Sequence, residues 1–338
     1  MRILVHSRVY PSVGGIETVT QLLANEWNKA GEEVIVATDV AHTPERPEIF
    51  PYPVYYRPSP LKWIGLLRWC DIYLQFNVSL KAMWPLLLIR RPLVISHHGY
   101  YWLTRDGKRD WRERLKISIS SRSANIFVSS AIAKEVNVRG AIIPNPYDEI
   151  LFRPEGSALR DTELAFVGRL VSDKGADCLL RALASLKKKG VTPRLSIIGD
   201  GPERPRLEKM RAELDLNDQV QFLGARSQSE VGALLRRHHI VVVPSLWAEP
   251  FGMVALEGLA SGCVIIGSDQ GGLPEAIGPC GLTFPNGDVN ALAEKIEMAL
   301  ADRRIASYLL DGVEPHLAKH RPAFVAGRYL DVMRSALS

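Results

Sequence analysis

Two carboxylates eight residues apart frame the segment Glu249-Pro-Phe-Gly-Met-Val-Ala-Leu-Glu257. Pro250 and Gly252 mark a turn, and the residues after it read as a helix start. At about 100° per residue, eight helical steps end roughly 80° past two full turns. Both acids can therefore face one side, Glu249 from the loop and Glu257 about two turns further on. A carboxylate accepts two hydrogen bonds in one plane, which suits a vicinal diol such as a ribose. Taken alone, the same spacing also describes a helix start with one acid near the dipole and one solvated Glu.

Other segments pair glycines with charged groups. In Phe166-Val-Gly-Arg-Leu-Val-Ser-Asp-Lys-Gly175 a strand ends at Val167, Gly168 lets the chain turn, and Arg169 and Lys174 precede a helix. Two cations before a helix N-terminus suit a diphosphate, although Arg-x4-Lys alone is also an ordinary surface pair. Gly199, Asp200 and Gly201 follow another strand and allow close backbone approach. The run lacks the G-x-G-x-x-G spacing of a nicotinamide site. Val13-Gly14-Gly15 precedes a helix and offers bare N–H groups to an anion. His97-His98-Gly99 ends a strand, where ligands bind in open α/β sheets. Asp269-Gln-Gly-Gly-Leu-Pro-Glu275 is another such loop, or simply a capped helix start.

The elements that must carry these residues alternate. Short apolar runs at Ile3–Val5, Val34–Ala37, Asp71–Phe76, Leu93–Ser96 and Ile126–Val128 are separated by helical stretches. A second series runs Leu164–Val167, Leu195–Ile198, Val220–Leu223, Ile240–Val243 and Val264–Ile266. Such alternation predicts βαβ units in two doubly wound domains rather than one sheet. The seam is expected from Ile143 to Arg160, where Pro144, Pro146, Pro154, Asn145, Asp148 and Gly156 cluster. The tail from Ile305 is helical in composition, broken by Pro315 and Pro322. Met1–His6 reads as a buried strand, not a leader.

Composition is that of a globular protein, and no apolar run reaches the ~18 residues that span a bilayer. Cys70, Cys178, Cys263 and Cys280 form no CxxC pair and read as reduced, buried thiols. The histidines show no metal-ligand spacing. Charge is uneven: residues 57–122 hold 13 basic and 4 acidic residues, with Trp63, Trp69, Trp84, Trp102 and Trp111. That mixture fits an anionic membrane surface or a phosphorylated acceptor, or else a solvated basic face over buried tryptophans. No nucleic-acid-binding signature accompanies it.

Taken in order, the motifs resemble the retaining glycosyltransferases of family 4, which have the GT-B fold. Gly14-Gly15, His98-Gly99, Gly168-Arg169, Lys174-Gly175, Gly199–Pro202, Glu249–Glu257 and Gly271–Glu275 carry the likeness, most specifically over residues 164–284. The resemblance implies two Rossmann-like doubly wound parallel-sheet domains facing across a cleft: an acceptor-binding domain over 1–155 and a nucleotide-sugar-binding domain over 156–315. A final helix, 316–338, packs back on the first domain. It implies a metal-independent, hexosyltransferase-type enzyme (EC 2.4) that transfers sugar with retention from a UDP- or GDP-sugar. The donor is a substrate, and no cofactor or metal is called for. The acceptor would be a glycan or glycolipid of bacterial surface polysaccharide or lipid-linked glycan synthesis.

By the same resemblance, Arg169 and Lys174 hold the diphosphate, Glu257 takes the ribose diol and Glu249 bonds the donor sugar. Backbone at Gly168, Phe251, Gly252 and Met253 lies near, and Glu275 joins the donor site. His98 and Gly99 contact the sugar from the other domain, and Gly14 and Gly15 lie against phosphate or acceptor. Gly199, Asp200, Gly201 and Arg226 border the base. The protein would work in the cytoplasm, peripheral on the inner face of the membrane through residues 57–122. A nucleotide-sugar epimerase or a non-catalytic nucleotide-sugar-binding protein on this fold is the alternative. One departure is Asn145-Pro146, where the family has Asn-Gly, so the interdomain turn must do without a positive φ.

Overall fold

The computed structural model describes residues 1–8, 14–41, 50–101, 111–155 and 160–338. Val13, Trp102, Arg109 and Gly156 lie outside the described residues. The chain forms two compact units, Met1–Pro146 with His320–Ser338, and Tyr147–Lys319.

Unit 1 contains a seven-stranded sheet of β1 (Arg2–His6), β2 (Glu33–Thr38), β3 (Val54–Tyr56), β4 (Ile72–Phe76), β5 (Leu93–His97), β6 (Ala124–Phe127) and β7 (Ala141–Ile142). The order is β3-β2-β1-β4-β5-β6-β7, and every neighbouring pair is parallel. Parallel strands are covered on both faces, so they read as continuous apolar runs. All five residues of β4 are buried, including Gln75. Its amide donates to Tyr73 Oη at 3.0 Å, and its oxygen accepts from the Ser79 N–H at 3.0 Å. The last helix, Pro322–Leu337, covers this sheet. The indole of Trp27, on helix Gly15–Lys29, donates to the Ala326 carbonyl at 3.1 Å.

Unit 2 repeats the plan with β8 (Thr162–Val167), β9 (Leu195–Ile198), β10 (Val220–Gly224), β11 (His238–Val243), β12 (Val264–Ser268) and β13 (Gly281–Phe284). The order β10-β9-β8-β11-β12-β13 is again wholly parallel. Its core joins Leu164, Phe166, Ile197, Ile240, Val242 and Ile266 of the strands to Leu179, Leu183 and Leu186 of helix Ala176–Lys188.

The first boundary falls at Pro146/Tyr147, nine residues before the expected 155/156. From Tyr147 on, the described part of the proline-rich stretch that reads as a linker is a packed turn of unit 2. Tyr147 and Phe152 are buried, and Asp148 Oδ1 accepts from the Ile150 and Leu151 N–H groups. The second boundary lies at Lys319/His320 rather than 315/316. His316 still bonds the Ala276 carbonyl of unit 2 at 2.9 Å. Neither Asn145 nor Pro146 has a positive φ. The Asn145 carbonyl instead accepts from His320 Nδ1 at 3.0 Å.

Pro315 and Pro322 do not break helices. Pro315 lies in the first turn of Val313–Ala318, and Pro322 is the first residue of its helix, where its missing N–H costs nothing. The tryptophans of the basic window are mostly core. Trp63 is buried with Leu66, Leu67 and Tyr73, and Trp69 and Trp84 pack against that cluster. Among the described members Trp111 alone is exposed. No helix among the described residues is long and apolar enough to cross a membrane.

Two glycines of unit 2 separate strain from crowding. Gly175 (φ +68°) and Gly190 (φ +81°) both sit in the left-handed region. A Cβ at 190 meets open space, whereas one at 175 would lie 1.9 Å from the Pro244 carbonyl oxygen. Urea unfolding should show Gly190→Ala losing about 1 kcal/mol and Gly175→Ala about 3 kcal/mol or more. Equal losses would show that the Gly175–Pro244 approach does not constrain the fold.

Candidate active site

In open α/β sheets ligands bind where the strand order reverses, beyond the carboxyl ends of the strands. In unit 2 that place lies between β8 and β11. The loops leaving these strands are pressed together. Gly175 abuts the Pro244 carbonyl, and the Leu246 N–H donates to the Asp173 carbonyl at 2.9 Å. This contact brings Lys174 Nζ to 2.6 Å from Glu249 Oε1, across 75 residues of sequence. Ser245 Oγ donates to the same oxygen at 2.6 Å. Glu249 is 8% exposed, so its charge is met by one cation and one hydroxyl, both close.

The Asp269–Glu275 segment braces this pair. Glu249 and Gly271 form an isolated parallel bridge, and the Gly272 N–H donates to the Glu249 carbonyl at 2.7 Å. A Cβ on Gly271 would sit 2.2 Å from that carbonyl oxygen. Glu275 lies in the first turn of the short helix that follows.

The loops after β8 and β9 meet in the same way. Gly199 has φ +143°, and a Cβ there would fall 1.9 Å from the Gly168 carbonyl. Gly201 likewise faces the Leu170 carbonyl, and the Leu170 N–H donates to Asp200 O at 2.9 Å. Arg169, between them, is exposed, and its guanidinium has no ion-pair or hydrogen-bond partner among the described residues. Asp200 is held by the Gly201 N–H at 2.7 Å and by Arg204 at 3.0 Å. Arg226 follows β10 at the sheet edge and pairs with Glu230 at 3.5 Å. The sheet thus gathers Arg169, Lys174, Glu249 and Gly271 and leaves Arg226 on the periphery.

Helix Met253–Ala260 starts at Gly252, whose φ of +106° turns the chain after Phe251. Glu257 lies on this helix, buried, and its carboxyl has no hydrogen bond or ion pair among the described residues. Burial, with the nearby Asp148 charge, pushes its carboxyl up to about 7. Within one segment, Glu249 lies against a cation and Glu257 is a group poised to lose its proton near neutrality.

In unit 1, His98 follows β5 and is buried. Its Nε2 lies 2.8 Å from Ser96 Oγ, which lies 2.7 Å from Tyr329 Oη of the last helix. Phe76 stacks on the ring at 4.9 Å, and Nδ1 is buried without a partner. Burial holds its pKa down to about 3, so His98 is neutral and can exchange hydrogen bonds but carries no charge. His97 is fully satisfied by Tyr101 and Asn125. Neither Gly14 nor Gly99 is required by its backbone. Gly14 has an extended φ and would meet only the flexible Glu17 side chain, and Gly99 has open space. Sequence reasoning did not single out Ser245, Ser96 or Tyr329, because a hydroxyl acquires meaning only from the group it meets. No cluster of three or more His, Cys, Asp or Glu suited to a metal occurs among the described residues.

Two parallel, doubly wound sheets in one chain, each with this strand order, define the GT-B architecture. The family profile "Glycosyltransferase Family 4" matches residues 13–149 and "Glycosyl transferases group 1" matches residues 148–309. The chain belongs to these glycosyltransferases, and its activity is nucleotide-sugar-dependent glycosyl transfer. It is 28% identical to the phosphatidylinositol N-acetylglucosaminyltransferase gpi3 subunit of Schizosaccharomyces pombe, over 88% of this chain and 72% of that protein. It is 32% identical to the MMP alpha-(1->4)-mannosyltransferase of Mycolicibacterium hassiacum, over 57% of this chain and 45% of that protein. The fold matches a sucrose-phosphate synthase from Thermosynechococcus elongatus with a TM-score of 0.81, at 23% identity, covering 99% and 98% of the two chains.

Glu257 makes stability depend on pH. Its folded pKa, about 7, lies above the ordinary 4.5. The folded state therefore binds the proton more tightly, and this contribution is complete below pH 4.5 and lost as pH rises through 7. Glu257→Gln should leave unfolding free energy unchanged near pH 4.5 and raise it by up to about 3 kcal/mol at pH 8. Parallel pH curves for variant and wild type would rule out a raised carboxyl.

Proposed function

We propose that the enzyme transfers a sugar from a UDP- or GDP-sugar to a glycan or glycolipid acceptor with retention of configuration. The observation that carries this reading is the Lys174–Glu249 pair at the strand-order reversal, beside an Arg169 without a partner. An ammonium has three donors, so Lys174 keeps two for an incoming phosphate while bonded to Glu249. Arg169 brings a whole guanidinium. Cleaving the sugar–diphosphate bond puts negative charge on the leaving oxygen, and fixed cations stabilise it without a metal.

The state of the two acids supports their separate roles. Glu249 Oε1 already accepts from Lys174 and Ser245. That makes it a poor nucleophile and a rigid acceptor for donor-sugar hydroxyls, beside backbone at Phe251, Gly252 and Met253. This favours front-face attack, with the leaving phosphate taking the acceptor proton, over a glycosyl-enzyme intermediate. Glu257 offers two acceptor oxygens to the ribose diol when ionised and only one beside an O–H when protonated, so donor binding should tighten as pH rises through about 7. Gly199, Asp200, Gly201 and Arg226 border the base. The neutral His98 suits a hydrogen bond to a sugar hydroxyl. Gly14, Gly15, Gly99 and Glu275 are assigned by the resemblance.

A lipid-linked acceptor on the inner face of the cell membrane, in surface polysaccharide or glycolipid synthesis, fits the surface of unit 1. Leu61, Leu87, Leu88 and Trp111 are exposed, and Lys62, Arg90, Arg112 and Arg114 are exposed in the same stretches. Apolar anchors with basic neighbours suit an anionic bilayer. Arg112→Glu with Arg114→Glu should lower binding to anionic vesicles by about thirtyfold or more, since each of the two basic residues contributes about 1 kcal/mol near the surface and the new acids add repulsion. Equal sedimentation of variant and wild type would overturn the membrane assignment.

The deciding experiment is nucleotide release from a panel of UDP- and GDP-sugars, with and without acceptor lipids. Arg169→Ala or Lys174→Ala should lower kcat by ~10²–10³. Glu257→Ala should chiefly raise the donor KM. Interconversion of the sugar without nucleotide release would make the protein an epimerase. Tight nucleotide binding with no turnover would make it a sensor.

A further inference from the structure

Two histidines stand side by side at the carboxyl end of β5, and their surroundings place their ring protons differently. His97 is the simpler case. Asn125 Nδ2 lies within hydrogen-bond reach of the carbonyls of Ser120, Ser123 and Arg139, at 2.9, 2.9 and 3.0 Å. Its Oδ1 is therefore the atom that faces His97 Nε2, at 3.0 Å. An amide oxygen only accepts, so Nε2 carries the proton. Burial lowers the pKa of His97 to about 4, so the ring is neutral. Its bare Nδ1 then accepts from Tyr101 Oη at 2.8 Å.

His98 is held by a chain of hydroxyls instead. Its Nε2 lies 2.8 Å from Ser96 Oγ, which lies 2.7 Å from Tyr329 Oη. All three side chains are buried, and their polar atoms have no other hydrogen-bond partner among the described residues. The chain can run in two directions. Starting from His98, an Nε2–H donates to Ser96 and Ser96 donates to Tyr329. The phenol hydrogen is then left in the core without an acceptor, and a bare Nδ1 is left without a donor. Starting from Tyr329, the phenol donates to Ser96 and Ser96 donates to Nε2. Every hydroxyl hydrogen is then bonded, and only an Nδ1–H is unmet. A buried polar group without a partner costs free energy, so one such group is favoured over two.

The ring is also held in place. Phe76 stacks on it at 4.9 Å and 21°, and on Tyr329 at 6.4 Å and 15°. Asn77 sits in the left-handed region at φ +61°, which asparagine tolerates. Its Oδ1 accepts the His98 N–H at 2.7 Å, and its own N–H donates to the Ser96 carbonyl at 2.7 Å. In water a neutral histidine keeps its proton mainly on Nε2. The Nδ1–H form is one that the bond at the other nitrogen must impose.

We propose that Ser96 and Tyr329 are positioning residues that fix His98 as its Nδ1–H tautomer, so that it meets the ligand as a hydrogen-bond donor to an oxygen. Such a donor serves a hydroxyl, a ring oxygen or a carbonyl oxygen, and refuses an ammonium. That the oxygen belongs to the donor sugar rests on the glycosyltransferase reading. The tautomer does not depend on it.

The test is proton–nitrogen correlation NMR on protein whose eight histidines carry labelled ring nitrogens. Bare and protonated nitrogens are well separated, and the signals lost in His98→Gln belong to His98. Without ligand, His98 should carry its proton on Nδ1 and His97 on Nε2, in the same spectrum. Tyr329→Phe removes the phenol hydrogen and keeps the ring. Ser96→Ala breaks the chain. Each should move His98 toward the Nε2–H form and leave His97 unchanged, and one folded variant suffices. Both variants should bind UDP and GDP as wild type does, and nucleotide-sugars about fivefold more weakly, the loss of one hydrogen bond. A proton on Nε2 of His98 in wild type overturns the proposal, as does an Nδ1–H that survives substitution. Unchanged nucleotide-sugar affinity after the tautomer has moved also overturns it. Equal losses for nucleotide and nucleotide-sugar reduce the chain to a structural role and overturn it too. If wild type binds no nucleotide-sugar, the glycosyltransferase reading fails, and the spectra alone decide the tautomer.

Discussion

Backbone pressed on backbone is the constraint on which unit 2 depends. At Gly175 against Pro244, Gly199 against Gly168 and Gly271 against Glu249, a single methyl group would lie about 2 Å from a carbonyl oxygen. Each contact joins two loops that leave different strands. Together they close the carboxyl edge of the sheet from β9 to β12 and fix where side chains can start. Lys174 and Glu249 meet at 2.6 Å because the residues next to each are held by such contacts. An ion pair alone could not position the loops: a mostly buried pair loses to desolvation much of what its attraction gains.

The same edge sorts charge. Glu249 is matched by Lys174 and Ser245. Glu257, eight residues on, has no such partner and is pushed toward neutrality by burial. Two carboxylates of one segment therefore differ in surroundings, because only one of them faces a cation. In the proposed reaction the uncompensated positive charge of Arg169 and the spare donors of Lys174 wait for the diphosphate, and the acids serve hydroxyl groups.

The central strands of both sheets are legible in the sequence because parallel strands covered on both faces must be apolar throughout. The edge strands are not. β3 reads Val-Tyr-Tyr between prolines, β7 is two residues long, and β13 begins with glycine. The site motifs are legible where glycine and charge recur at strand ends, which located Lys174, Glu249 and Gly271 but could not show that they touch. Residues defined by distant partners escape such reading: Tyr329 reaches Ser96 across 233 positions. The tryptophans of the basic window misled for the opposite reason. Composition does not say which face a residue takes, and Trp63, Trp69 and Trp84 turn inward to the core under helix Pro60–Trp69.

The two strand-order reversals, between β8 and β11 in unit 2 and between β1 and β4 in unit 1, are built by different means. In the proposed reaction the difference follows from what each would recognise. Every UDP- or GDP-sugar presents a diphosphate and a ribose, so in the proposed reaction the edge of unit 2 can be made of glycine backbone, two cations and two acids, and be rigid. Acceptors share no such common part. The corresponding edge of unit 1 is lined by side chains, among them His6, Asp39, Asn77, Arg57 and Lys81, on loops whose backbone does not interlock at glycines in this way. Such side chains can be exchanged without moving a strand. A fold with one reversal fixed by backbone and the other furnished by side chains can keep its donor chemistry while its acceptor changes.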